Sequence, residues 1–152
     1  MIEKVKSTST HYKLLREVLG NKNMPTNVDS SFDFIRVATK GVDASVVRYF
    51  RSYFDLSRES TASILNVSEP TLYRWTKAEK RLDRNFSIKL FEVADLFLYG
   101  TGVFDDKAKF LKWLELPNTA IGGMRPIELI EMPGGVSKVR DVLGRIEYGV
   151  FS

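Results

Sequence analysis

Two sets of side chains in this sequence have types and spacings suited to chemistry with another molecule. The first is Glu69, Thr71, Tyr73, Arg74 and Lys77, continued by Lys80 and Arg84. On the outer face of one helix, Tyr73 and Arg74 would meet base edges in a DNA major groove, while Lys77, Lys80 and Arg84 would meet phosphates. Phosphate contacts contribute salt-dependent affinity, and base contacts choose the sequence. The second is the closing run Gly144-Arg145-Ile146-Glu147-Tyr148-Gly149-Val150-Phe151-Ser152 with its carboxylate. Chain ends are usually polar and tolerant of change. An aromatic-glycine-apolar-aromatic run is either tucked into its own fold or offered to a partner. Aromatic anchors bury a large area at low entropy cost, which suits the second use.

Enzymatic chemistry has few candidates. The 152 residues contain no cysteine and one histidine, His11, which excludes thiolate nucleophiles and zinc-thiolate sites and disfavours a Ser-His-Asp arrangement. No paired-carboxylate constellation is visible, so no enzyme, metal site or cofactor is expected. His11 reads as an ordinary surface residue. Gly100-Thr101-Gly102 follows no strand and lacks the full glycine spacing of a phosphate loop; it reads as an internal boundary. No run of about 18 apolar residues could span a bilayer, and Met1-Ile2-Glu3-Lys4 lacks a signal-peptide pattern. A cytosolic protein without a membrane partner is expected.

Net charge is +4, but residues 105–152 hold seven Lys/Arg and seven Asp/Glu, so the whole excess lies in residues 1–104. The N-terminal part is therefore the one suited to a polyanion.

The elements that position these groups are predicted to be helices throughout, an all-α fold. Helical spacing and stop residues mark Thr10 to Leu19, Ser31 to Thr39 with Phe32, Ile35 and Ala38 on one side, and Asp43 to Phe54. Residues 57–78 carry the sharper signal. Ser57 and Ser68 can N-cap two helices separated by the tight turn Asn66-Val67-Ser68. A helix-turn-helix needs a small residue at the crossing, here Ala62, and one tolerant of left-handed geometry in the turn, here Asn66. Leu65, Val67, Leu72 and Trp75 supply the apolar lock. The next helix, Asp83 to about Tyr99, is apolar nearly all round, so it is either the centre of the core or half of an intermolecular contact. A homodimer suits an operator-binding protein, since paired recognition helices read paired half-sites. Helices from Asp105 to Leu116, from Pro126 and from Gly135 to Tyr148 complete the chain. Gly144 inside the last one suggests close approach of another backbone, and Gly149 is placed to end that helix.

From Phe104 onward the sequence resembles the C-terminal toxin-binding domain of the Xre/MbcA/ParS antitoxins. The resemblance rests on Trp113-Leu114, Pro117-Asn118, Ala120-Ile121-Gly122-Gly123 with Pro126 and Leu129, Gly135, Val139 and the closing run from Leu143 to Ser152. The upstream helix-turn-helix sits where that family's Xre-like domain sits. The resemblance implies a type II antitoxin that neutralises a RES-domain, NAD⁺-consuming toxin by placing its C-terminal segment at the toxin active site, and that represses its operon by binding operator DNA. Its tail residues Arg145 and Glu147 through Ser152 would carry the toxin contact. The expected organisation is an N-terminal extension, residues 1–40; a DNA-binding and dimerisation domain, residues 41–103; and a toxin-binding domain, residues 104–152. The alternative is a helix-turn-helix regulator whose C-terminal domain serves only for oligomerisation.

Overall fold

A computed structural model describes residues 8–149. Among the described residues there are nine α-helices and no strand; a single isolated bridge pairs Asp43 with Arg81. The chain forms two compact units, residues 1–95 and 96–152.

The first unit holds α1 (Thr8–Leu19), α2 (Ser31–Thr39), α3 (Ser45–Tyr53), α4 (Arg58–Ile64), α5 (Glu69–Lys77) and the first part of α6 (Arg84–Phe104). Its core takes Leu15, Val18 and Leu19 from α1, Val46, Val47 and Phe50 from α3 with Phe54 just beyond it, and Leu90, Phe91 and Val93 from α6, all buried. Each such side chain contributes about 1.5–3 kcal/mol by leaving water. α1 packs against α3, so the N-terminal helix thickens this core. Tyr12 stacks on Phe34 at 5.5 Å, and Phe34 meets Phe91 edge-on at 5.7 Å. His11 is not a plain surface residue: it lies 2.6 Å from Asp95 Oδ1 and ties α1 to α6.

Two expectations for this unit change. In α2 the buried residues are Phe34 and Ala38, whereas Phe32 is 74% and Ile35 49% exposed. Phe34 faces inward because Tyr12 and Phe91 offer it aromatic surface, and Phe32 follows on the opposite side. α3 begins at Ser45, because the Asp43 carboxylate accepts from the Ser45 N–H at 2.8 Å and so closes a turn ahead of the helix.

Behind the helix-turn-helix the chain is stitched back on itself. Leu82 N–H donates to the Val42 carbonyl (2.7 Å), Ala44 N–H to Lys80 (2.9 Å), and the Arg81 guanidinium to the Gly41 carbonyl. The buried Ser87 hydroxyl accepts from Val42 N–H at 3.2 Å, so these loop groups enter the interior satisfied.

The second unit holds the rest of α6, α7 (Lys107–Leu114), α8 (Pro126–Ile130) and α9 (Gly135–Glu147). Phe97, Phe110, Leu114, Ile130, Val139 and Leu143 are fully or almost fully buried at its centre. Gly100-Thr101-Gly102 does not end α6, which runs on to Phe104. Phe110 packs directly against Gly100 and meets Phe97 at 5.3 Å, so burial of this ring holds Gly100 in helix. The loop before α8 is closed by Asn118, whose side chain accepts from Ala120 N–H at 2.9 Å and whose N–H donates to the Met124 carbonyl at 2.9 Å.

The apolar α6 is accounted for inside the protein. Leu90, Phe91, Val93, Ala94, Leu96, Phe97, Leu98 and Val103 are all buried without any second chain. Among the described residues no helix is long and apolar enough to cross a membrane.

Candidate functional site

The helix-turn-helix is built by short-range chemistry. Ser57 caps α4 by accepting from Ser60 N–H (3.0 Å), and Ser68 caps α5 by accepting from Thr71 N–H (3.2 Å). Asn66 turns the chain with φ +55°, a left-handed conformation that Asn tolerates better than most residues. Ala62, Leu65 and Leu72 are buried where the helices meet, and Trp75 stands edge-on to Phe86 at 5.1 Å. Pro70 lies in the first turn of α5, where an N–H would have no helical partner.

Glu69, Tyr73, Arg74, Lys77, Lys80 and Arg84 are all exposed, and Thr71 is partly so. Arg74 is steered by a hydrogen bond from Nη2 to Thr71 Oγ1 at 3.2 Å. Tyr73 also has a second neighbourhood. It lies at the rim of a groove between α3 and α5 of about 640 Å³, with Arg48, Arg51, Arg58 and Lys77 in the lining. The Arg58 and Lys77 cations sit 5.8 and 5.7 Å from its ring centroid, and Lys77 Nζ reaches its hydroxyl at 3.4 Å. Cations over an aromatic face are held by the ring quadrupole, so Tyr73 gathers positive charge at this rim. Arg48 and Arg58 were not among the residues singled out from the sequence, because α3 and α4 are brought beside α5 only by the fold. Arg51 is partly committed to structure, donating from Nε to the Leu56 carbonyl at 2.9 Å.

At the other site α9 ends at Glu147, with Tyr148 as its C-cap and Gly149 at φ +69°. Gly149 N–H donates to the Ile146 carbonyl at 3.3 Å, the inner bond of a glycine helix stop. Arg145, Tyr148 and Gly149 are exposed, Tyr148 by 72%. Glu147 is half-buried and accepts from the Tyr99 hydroxyl at 2.8 Å. Burial, followed by the bond to Glu147, pushes the Tyr99 phenol well above its ordinary range, with the Arg140 guanidinium pulling the other way. Tyr99 therefore keeps its proton throughout the physiological range and remains a hydrogen-bond donor to Glu147. Val150, Phe151 and Ser152 lie outside the described residues. Among the described residues no other backbone approaches Gly144; the nearest heavy atom to a Cβ there would be Tyr99 Oη at 3.7 Å. Among the described residues no group of acidic or histidine side chains could hold a metal ion.

Residues 33–99 match the antitoxin Xre-like helix-turn-helix domain, and residues 100–149 match the antitoxin Xre/MbcA/ParS C-terminal toxin-binding domain. The chain belongs to the Xre/MbcA/ParS antitoxin family. The two matches in this antitoxin abut between Tyr99 and Gly100, and α1 lies outside both. The antitoxin Xre of Yersinia enterocolitica is 40% identical over 47 residues, a stretch spanning 31% of this chain and about a third (32%) of that protein. The Prs ADP-ribosylating antitoxin of Sphingobium sp. is 26% identical over 132 residues, covering 81% of this chain and 83% of that one. A chain in the crystal structure of the M. tuberculosis MbcT-MbcA toxin-antitoxin complex shares the fold, with a TM-score of 0.53 and 24% identity over 72% of this chain and 96% of its own.

Proposed function

We propose that this type II antitoxin neutralises a RES-domain, NAD⁺-consuming toxin by placing its C-terminal segment at the toxin active site. Residues 104–152 form the toxin-binding part, with Arg145, Glu147, Tyr148, Gly149, Val150, Phe151 and Ser152 as the contact segment. The observation that carries this reading is the end of α9, where the left-handed Gly149 stops the helix immediately before Val150 while Tyr148 stays exposed. A large exposed aromatic beside a helix stop is an anchor in search of a pocket. The Sphingobium relative's name joins an antitoxin to ADP-ribosylation, a reaction that consumes NAD⁺. Removing residues 149–152 should abolish growth rescue from the neighbouring toxin and leave operator binding nearly intact. Unchanged rescue would sink the occlusion model.

The same antitoxin, as a homodimer, binds operator DNA through residues 41–103 and represses its own operon. Support comes from the exposed Arg74, Lys77, Lys80 and Arg84 around α5 and from the excess positive charge of residues 1–104. In this reading Arg74, which donates to Thr71 Oγ1, meets base edges, and Glu69 and Thr71 precede it at the start of α5. Arg74→Ala combined with Lys77→Ala should weaken operator binding, and indifference to both changes would mean that the recognition helix is misassigned.

A further inference from the structure

Glu147 is in the wrong place for a carboxylate that has no partner. The C-terminal end of a helix carries partial negative charge, so an acidic side chain in the last turn is disfavoured. The last four carbonyls of a helix also lack intrahelical partners, and such ends fray. In α9 both problems meet one side chain from α6. The Tyr99 hydroxyl donates to Glu147 Oε1 at 2.8 Å across 48 residues of sequence. The same ring lies under the Arg140 guanidinium at 5.0 Å, and its oxygen would be 3.7 Å from a Cβ on Gly144. Arg140, Gly144 and Glu147 follow one face of α9 through its last two turns, by the i, i+4, i+7 spacing of a helix. Gly144 presents no side chain to the phenol, which lies along this face and is tied at both ends. Arg145 and Tyr148, beside this face, remain exposed.

We propose that Tyr99 is a positioning residue for the toxin-contact segment: by holding Glu147 it fixes the last turn of α9, and so the direction in which the chain leaves at Gly149. Within the segment assigned above to the toxin, Glu147 is thereby singled out: it acts through the helix end and not by touching the toxin, and the contacts fall to its neighbours. The inference rests on the reading that the segment beyond α9 meets the toxin. Its physical basis is preorganisation, since a helix end already held in its bound form loses less freedom on association.

The test measures the affinity of the full-length antitoxin for the purified toxin encoded beside it, in a double-mutant cycle. Tyr99→Phe and Glu147→Ala should each weaken binding by about tenfold, the scale of one hydrogen bond to a charged group. The double variant should bind no worse than either single one, because both remove the same tie. Glu147→Gln, whose amide oxygen still accepts from the phenol, should stay within about twofold of the parent. In an antitoxin lacking residues 149–152, Tyr99→Phe should cost less than in the full chain, because only the residues up to Tyr148 remain to be positioned, which separates positioning of the segment from general loss of structure. Additive losses in the double variant would show Glu147 touching the toxin itself and overturn the proposal, as would parental affinity for Tyr99→Phe. Parental affinity for the truncated protein would remove the toxin-contact reading and the proposal with it; additivity with an essential segment would remove the proposal alone.

Discussion

A Cβ on Gly100 would stand 2.1 Å from Cε1 of Phe110 and 2.5 Å from its Cδ1 and Cζ. Helix propensity alone favours alanine over glycine by about 1 kcal/mol. Here the sign reverses, because Phe110 is fully buried between Phe97 and Trp113 and has nowhere to move. Forcing a methyl group into such packing costs about 1–3 kcal/mol. Gly100→Ala should therefore lower the melting temperature, read by calorimetry or circular dichroism; an unchanged or raised value would show that the ring can yield.

Gly144 makes the opposite prediction. Among the described residues a methyl group there meets only Tyr99 Oη, at an ordinary 3.7 Å. Gly144→Ala should stabilise the free protein by about 0.5–1 kcal/mol through helix propensity, measured by urea unfolding. Weaker toxin binding in the same variant would show that the toxin supplies a close approach at this glycine that the described residues do not.

Acid stability should depend on Asp43. Its carboxyl is held below the usual range chiefly by hydrogen bonds from the Ser45 side chain and N–H, with Arg81 and Arg48 adding attraction. A folded-state value below the unfolded one, about 3.9, stabilises the fold above that pH, and the benefit disappears as pH falls through the folded value. Asp33, lowered by hydrogen bonds from Asp29 and Ser30, acts in the same direction. Asp43→Asn should flatten part of the fall in urea midpoint below about pH 4, leaving the Asp33 share. An identical pH profile for the variant would contradict this.

The groove cations should reveal themselves by salt dependence. If Arg58 meets a phosphate, Arg58→Ala reduces the slope of log affinity for operator against log salt by about one, with no change in preferred sequence. Tyr73→Phe, which keeps the ring that gathers Arg58 and Lys77, should leave the slope alone. A changed sequence preference with Tyr73→Phe would place its hydroxyl on a base edge instead.

Residue types and spacing by themselves determined the helices, the helix-turn-helix and the stop at Gly149. These features depend on groups three to five residues apart: Ser57 with Ser60, Ser68 with Thr71, Asn66 in its turn, Gly149 with Ile146. Local chemistry of that kind is written in the order of the chain. The tertiary structure alone decided which face of α2 is buried, why α6 continues through Gly100 and Gly102, and where His11, Tyr73 and Glu147 point. Each of those depends on a group that no spacing reveals: Phe91 for Phe34, Phe110 for Gly100, Asp95 for His11, Arg58 for Tyr73 and Tyr99 for Glu147. A side chain's own preference gives it several acceptable directions, and only close packing against partners distant in sequence selects one.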